Sequence, residues 1–286
     1  MPIRSRGLDH IVVTVRDMDR AVSNYRRMGF LITPRMYHPF GTANNLMMFK
    51  TTFLEILGIV NANEVQGIGE VIQQLSEQRE GISHFALQTT DAEADRAEFA
   101  RKGLQPTEVA RFERAVTLPD GRELNAVVSV CLFDQSDTPR VMMFVSQQHV
   151  PEAVWVPEWQ IHPNSAEDIK SVTIVSDNPT VQFEHRLVSV FGREATRRSG
   201  DSLVARTPNG AIHILTVDGF QRRYDGGGIA IEEVHPYVAA VTVRVRDLAM
   251  IDRIFADNGL EVRRMACGGR LIAPEFANGV AIEFVG

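Results

Sequence analysis

Basic charge is the first thing this chain lacks. Its 30 Lys and Arg are outnumbered by 36 Asp and Glu, for a net charge of −6. A phosphate backbone calls for a cationic footprint, so nucleic acid is not an expected partner. The arginines are scattered, and pairs such as Arg197-Arg198 and Arg222-Arg223 are of the size found on solvated faces. Cysteine is scarce too: Cys131 and Cys267 cannot make a disulfide framework and have no zinc-finger spacing. Both read as inert thiols of a reducing compartment. No window reaches the ~20 apolar residues of a membrane-spanning helix. The N-terminal MPIRSRGLDHIVVTV is basic, but its apolar run is short, broken by Asp9 and His10, and lacks a small-residue cleavage pattern. A soluble, cytoplasmic protein with no membrane partner is expected. Gly226-Gly227-Gly228 is followed by no Lys-Ser/Thr and is not a phosphate loop. A Gly-x-Ser-x-Gly elbow is absent, which argues against an α/β-hydrolase.

What the chain does have is internal repetition. HIVVTVRD (10–17), HFALQTTD (84–91) and AVTVRVRD (240–247) are β-branched runs ending in Asp, and in each a Gly follows twelve residues later, at Gly29, Gly103 and Gly259. A looser copy, KSVTIVSD (170–177), reaches Gly192 fifteen residues after Asp177. Each Asp stands where a helix N-cap is needed. Met18, Ala21, Val22, Tyr25 and Met28 then keep helical spacing, and the Gly supplies a left-handed C-cap. Strand-like runs follow, in the first copy FLITPRMY, NNLMMFK and TFLEILGIV. The unit is therefore βαβββ, with modules at 7–60, 82–149, 169–217 and 237–286. Residues 61–81 are predicted to carry a connecting helix. Residues 151–168, with three prolines and both tryptophans, read as a linker whose aromatics pack across the join between a domain at 1–150 and one at 169–286.

Four βαβββ units, with His opening the first strand of a unit and Glu in its last, resemble the vicinal oxygen chelate (VOC) superfamily, which includes glyoxalase I, extradiol dioxygenases and bleomycin- and fosfomycin-resistance proteins. HPFGTANNLMMF (38–49), FLEILGI (53–59) and HVPEAVWVPEWQIHPN (149–164) are similar to segments of glyoxalase-like proteins. The resemblance implies an α+β fold in which the four modules pair into two VOC-type domains with open, barrel-like mixed sheets. It also implies metal ligands from first and last strands. Carried over by position these are His10, Glu55 and His84, the two histidines each seven residues before their module's Asp. A lone Glu in an apolar strand is costly to bury unpaired, and a cation removes that cost.

The cofactor expected is one divalent ion, Zn, Mn, Ni or Fe. Two His and one carboxylate suit both catalytic zinc and non-haem Fe(II). The equivalent fourth position falls around Met142–Phe144, so Gln147 (by a register slip) or water is the candidate fourth ligand. In modules three and four the His position is read as Lys170 and Ala240. That leaves His213 and Glu283 without first-strand partners, so the second domain is expected to be metal-free.

Glu55 and His38 are the candidate proton carriers, and Asn44, Asn45 and Trp155 the candidate substrate contacts. The expected partner is a small molecule with adjacent oxygens, and a homodimer is compatible with the sequence. The activity expected is a glyoxalase-like isomerase or lyase. The alternatives are an extradiol-type Fe(II) ring-cleaving dioxygenase and a non-enzymatic binding or resistance protein.

Overall fold

The structure is a computed structural model that describes residues 6–133, 137–224, 229–232 and 236–286. The Gly226–Gly228 run and His235 lie outside the described residues. Module one runs β1 (Leu8–Thr14), α1 (Met18–Arg27), β2 (Met36–Tyr37), β3 (Thr42–Met48) and β4 (Phe53–Ile59). A connecting helix, α2 (Ile68–Gln78), leads to module two: β5 (Gly81–Gln88), α3 (Ala92–Arg101), β6 (Ala110–Thr117), β7 (Glu123–Leu132) and β8 (Met142–Gln148). Module three is β9 (Ala166–Val175), α4 (Pro179–Phe191), β10 (Thr196–Ser199), β11 (Ser202–Arg206) and β12 (Ala211–Leu215). After α5 (Val217–Arg223), module four is β13 (Tyr237–Val245), α6 (Leu248–Asp257), β14 (Arg263–Arg264), β15 (Arg270–Ile272) and β16 (Ala281–Val285).

Local chemistry sets these boundaries. Asp17, Asp91 and Asp247 each cap their helix, accepting from the backbone N–H of Arg20, Ala94 and Ala249. Past α1, Gly29 turns the chain at φ +81°, a conformation that costs other residues about 1–2 kcal/mol. Module three departs from the predicted pattern. Its cap is Asn178, not Asp177, and it accepts from Val181 N–H. Pro179 takes the first helical position, where its missing N–H is not needed. The module's count therefore shifts by one. Thr173 pairs with His213 as Val12 pairs with Glu55, so the position equivalent to His10 is Ser171, not Lys170, which is exposed.

The strands form two eight-stranded mixed sheets of identical plan, β2-β3-β4-β1-β5-β8-β7-β6 and β10-β11-β12-β9-β13-β16-β15-β14. These are two VOC-type domains in an α+β fold. In the first, β1 runs parallel to β4 and antiparallel to β5, with His10 opposite Ala86 and Val12 opposite His84. A pseudo-twofold between β1 and β5 thus makes His10 and His84 equivalent.

One face of each sheet is covered by helices, and the covered faces merge. Ile11, Val13, Leu54 and Ile56 share one core with Val172, Ile174, Val241 and Ile282 of the second sheet. Tyr25 on α1 donates to Ala277 O of module four, and Phe30 packs on Phe284. Arg6 is buried between the domains, bonded to Asp95 and Glu98 on α3 and to Val190 O on α4. Trp159 does not bridge the join as expected. It packs with Met36, Met48 and Phe53 of the first domain alone. No helix among the described residues is long and apolar enough to cross a membrane.

Candidate functional site

The other face of the first sheet lines a cavity of about 100 Å³. Period-two alternation chooses what enters it: His10 and Val12 from β1, Asn44 from β3, Phe53, Glu55 and Leu57 from β4, and His84 from β5. Its remaining wall is mainly apolar, with Phe40, Phe112, Val128, Val130 and Phe144.

His10 stands between two carboxylates. Its Nδ1 lies 2.6 Å from Asp9 Oδ1, and its Nε2 lies 3.5 Å from Glu55 Oε2. A carboxylate only accepts, so Nδ1–H is the donor to Asp9. His10 Nε2 points at the Glu55 carboxylate, so each ring nitrogen is met by a carboxylate oxygen. Phe53 stacks on the ring at 4.4 Å and fixes its plane.

Asn44 organises the rest of Glu55. Its Nδ2 donates to Glu55 Oε1 at 2.6 Å and approaches His38 Nε2 at 3.3 Å. One amide NH₂ has two hydrogens and here meets two acceptors. His38 is thereby the tautomer with Nδ1–H, which donates to Thr42 Oγ1 at 2.8 Å. Asn44 Oδ1 is left buried without a partner among the described residues. Flipping the amide would face Oδ1 to the carboxylate, so Glu55 sets its orientation. Burial pushes His38 down to about 4, with Glu55 opposing and Arg114 assisting, so the ring is neutral at pH 7.

His84 is buried, and burial, helped by His10, pushes it down to about 3. Its Nδ1 lies 2.6 Å from Ser83 Oγ, which in turn contacts Thr14 Oγ1. A metal-bound histidine needs a neutral ring with its second nitrogen held by an outer partner. Asp9 serves His10 in that way and Ser83 serves His84. Two donors with ~2.1 Å bonds to one tetrahedral cation stand about 3.4 Å apart, close to the 3.5 Å between His10 Nε2 and Glu55 Oε2. That spacing and the outer partners suit His10 and Glu55 as two donors to a divalent ion, whereas no three His, Cys, Asp or Glu side chains among the described residues close into a coordination group as placed.

A family model described as a glyoxalase-like domain matches residues 8–191. The chain belongs to that family, within the VOC superfamily. No curated protein matches this glyoxalase-like chain. Among solved structures it is similar to a hypothetical protein from Staphylococcus aureus, at 15% identity, TM-score 0.69 and coverage of 97% of this chain and 98% of that one. It is also similar to a mutant of 4-hydroxymandelate synthase from Streptomyces coelicolor, at 12% identity, TM-score 0.60 and coverage of 99% and 92%. A xylose isomerase-like TIM barrel/4-hydroxyphenylpyruvate dioxygenase fusion protein matches at 12% identity and TM-score 0.54, covering 99% of this chain and 50% of that one. At such identities these likenesses concern the fold.

Several expected residues lie elsewhere in this glyoxalase-like chain. Asn45 faces away from the cavity, its amide taken up by Thr33 O and Arg35. Trp155 does not line the cavity either and packs edge-on against Phe53, behind His10. Gln147 is no fourth ligand. Its side chain accepts from Ala92 N–H and donates to Thr90 O, fastening the start of α3. The position equivalent to Glu55 is Phe144, since Ala86 pairs with Phe144 as Val12 pairs with Glu55. Its ring stands 5.4 Å from that of His10 and 6.1 Å from that of His84.

Sequence reading missed Gln148, Ser146 and Arg114, which do line the cavity. The alternation of β6, in which Phe112, Arg114 and Val116 share the more buried face, was the available signal for Arg114. In the second domain, His213 and Glu283 lie in a corresponding hollow, where Glu283 accepts from Thr242 and pairs with Arg223. Burial, with Arg223, pushes His213 down to about 4.

His162 has a structural place. Its Nδ1 accepts from Leu31 N–H at 2.9 Å and its Nε2–H donates to Met48 O at 2.7 Å. Burial pushes it down to about 4, below the ~6.5 of an unfolded chain. Between those values the unfolded state binds more protons, so its contribution is present above about pH 6.5 and is lost as pH falls towards 4. An NMR titration is expected to find the His162 ring neutral down to pH 5. Protonation near pH 6.5 would contradict the bond from Leu31.

Proposed function

We propose that the first domain is a metal-dependent enzyme centre in which His10, Glu55 and His84 hold one divalent cation and a small molecule with adjacent oxygens completes its coordination. The approach of His10 Nε2 and Glu55 Oε2 to 3.5 Å, each residue held by an outer partner, carries this reading. A cation there would take both atoms as ligands. When bound, the ion supplies Lewis-acid polarisation of the substrate oxygens, an effect worth several kcal/mol in the transition state.

The residues of the chain do the rest. Asn44 holds Glu55 in place and presents its unpartnered Oδ1 as an acceptor for a substrate hydroxyl. His38 is neutral with its Nε2 lone pair held by Asn44, and it would take a proton from substrate in the cavity once that 3.3 Å contact opens. Phe144, Phe112 and Val130 exclude water, which strengthens each electrostatic contact inside. This arrangement favours proton transfer beside a carbonyl, the chemistry of an isomerase or lyase.

A second reading, ring cleavage of a catechol by an Fe(II) form, draws support from Phe144. With an aromatic at the fourth position, the donor set is reduced to two His and one carboxylate, the pattern of non-haem Fe(II) oxygenases.

The deciding experiment is elemental analysis of the purified protein. It is followed by assays of the reconstituted protein for C–H exchange in hydroxy-ketones and for O₂ uptake with catechols. About one divalent ion per chain with C–H exchange supports the isomerase or lyase. O₂ uptake only with iron supports the dioxygenase. Failure to bind any of Zn²⁺, Mn²⁺, Ni²⁺ or Fe²⁺ removes both.

A further inference from the structure

Arg114 is a cation in a wall that otherwise has little use for one. On β6, Phe112, Arg114 and Val116 alternate on the cavity side while Arg111, Glu113, Ala115 and Thr117 are exposed. Arg114 is 8% exposed and lines the cavity. Its cross-strand neighbour is Ala126, whose small side chain leaves room for a guanidinium. The one hydrogen-bond acceptor it meets among the described residues is the Met36 thioether. No carboxylate among the described residues stands within ion-pairing distance of it. Glu55 reaches it only through space, and the oxygens of Glu55 are engaged by Asn44 and His10.

A guanidinium has five donors in a rigid fork. Burying it with a thioether as its partner is a large desolvation cost for no structural return. A planar anion docked in the cavity would supply what is missing.

We propose that the substrate of this site is a carboxylic acid with an apolar body, and that Arg114 binds its carboxylate. The proposal rests on the metal reading in one respect: the adjacent oxygens of the substrate face His10, Glu55 and His84 while the carboxylate faces β6. A single guanidinium with Glu55 nearby suits one negative charge better than two. The apolar wall, with Phe40, Phe112 and Phe144, suits an aromatic or branched body between the two polar ends. Arg114 is a specificity residue under this assignment. It takes no part in proton movement.

The test uses the metal-free, full-length chain, with phenylacetate and its neutral analogue phenylacetamide as probes, followed by calorimetry. Phenylacetate is expected to bind at least about tenfold more tightly, the usual gain from a charge-assisted bond. The preference should vanish in Arg114→Gln and persist in part in Arg114→Lys. Arg114→Gln should also melt no lower than the parent, because it removes a desolvated charge. His213→Ala, in the hollow of the second domain, should leave the preference intact.

Equal binding of the two probes by the parent chain overturns the proposal, as does a preference that survives in Arg114→Gln. The wild-type comparison decides even if a variant fails to fold. Metal content is measured separately. A chain that binds phenylacetate selectively yet takes up no metal retains the Arg114 assignment and loses the metal reading. A chain that binds metal and ignores the carboxylate does the reverse.

Discussion

Replacing His84 by Ala is expected to abolish the rise in melting temperature that a divalent ion gives the parent chain. A ligand that binds only the native state stabilises it by mass action, by about 4 kcal/mol at a thousand times its Kd. For domains of this size that corresponds to roughly 10 °C. His10→Ala and Glu55→Ala should lose the same increment, since three protein donors are already the minimum for a catalytic site. The metal-free variants should still fold, because the sheet's covered face and its helices are untouched. Calorimetric scans of parent and variants, at one metal concentration, decide the matter. Full retention of the metal effect in His84→Ala would place the third ligand elsewhere. His213→Ala and Glu283→Ala should leave the metal-dependent rise unchanged, because neither lines the first domain's cavity and Glu283 already has Thr242 and Arg223 as partners.

Arg6→Ala is expected to be the most damaging single substitution outside the site. Arg6 grips Asp95 with two nitrogens, at 2.8 and 3.2 Å, and also bonds Glu98 at 2.8 Å and Val190 O at 3.0 Å. Its guanidinium lies 4.5 Å from the centre of the Phe99 ring. Arg6 and Asp95 are 2% and 1% exposed, so removing the cation leaves a carboxylate in a dry interior. Breaking such a pair costs about 3–5 kcal/mol. Because Val190 belongs to the second domain, the loss should also loosen the contact between the sheets. Urea denaturation at pH 7 measures it. The double variant with Asp95→Ala should lose far less than the sum of the singles. A loss under about 1 kcal/mol would mean the pair is solvated in solution.

Much of this architecture was legible because it is written in local chemistry. Asp17, Asp91 and Asp247 cap helices, and β-branched runs precede them. Counting back from those caps placed His10 and His84 at equivalent positions, and the sheet register agrees. The same counting failed in module three for an equally local reason. Asn178 and Pro179 start that helix one residue late, and the count landed on Lys170 instead of Ser171.

Tertiary structure alone decided the rest. Asn44 and Asn45 are adjacent and identical in type, yet pleating sends one to Glu55 and the other to Thr33. The tryptophans of the connector looked fit to bridge two domains, but the apolar pocket that received Trp159 was built by β2, β3 and β4. Gln147 looked free until α3 arrived to use its amide. Arg114 carries no signal of burial in the sequence beyond the alternation of β6, and only closure of β6 over the cavity buried it. Caps, turns and strand alternation depend on residues a few places apart, so the chain itself specifies them. Which face of a strand is dry, and which polar group there lacks a partner, depends on segments a hundred residues away. That is a property of the packed molecule.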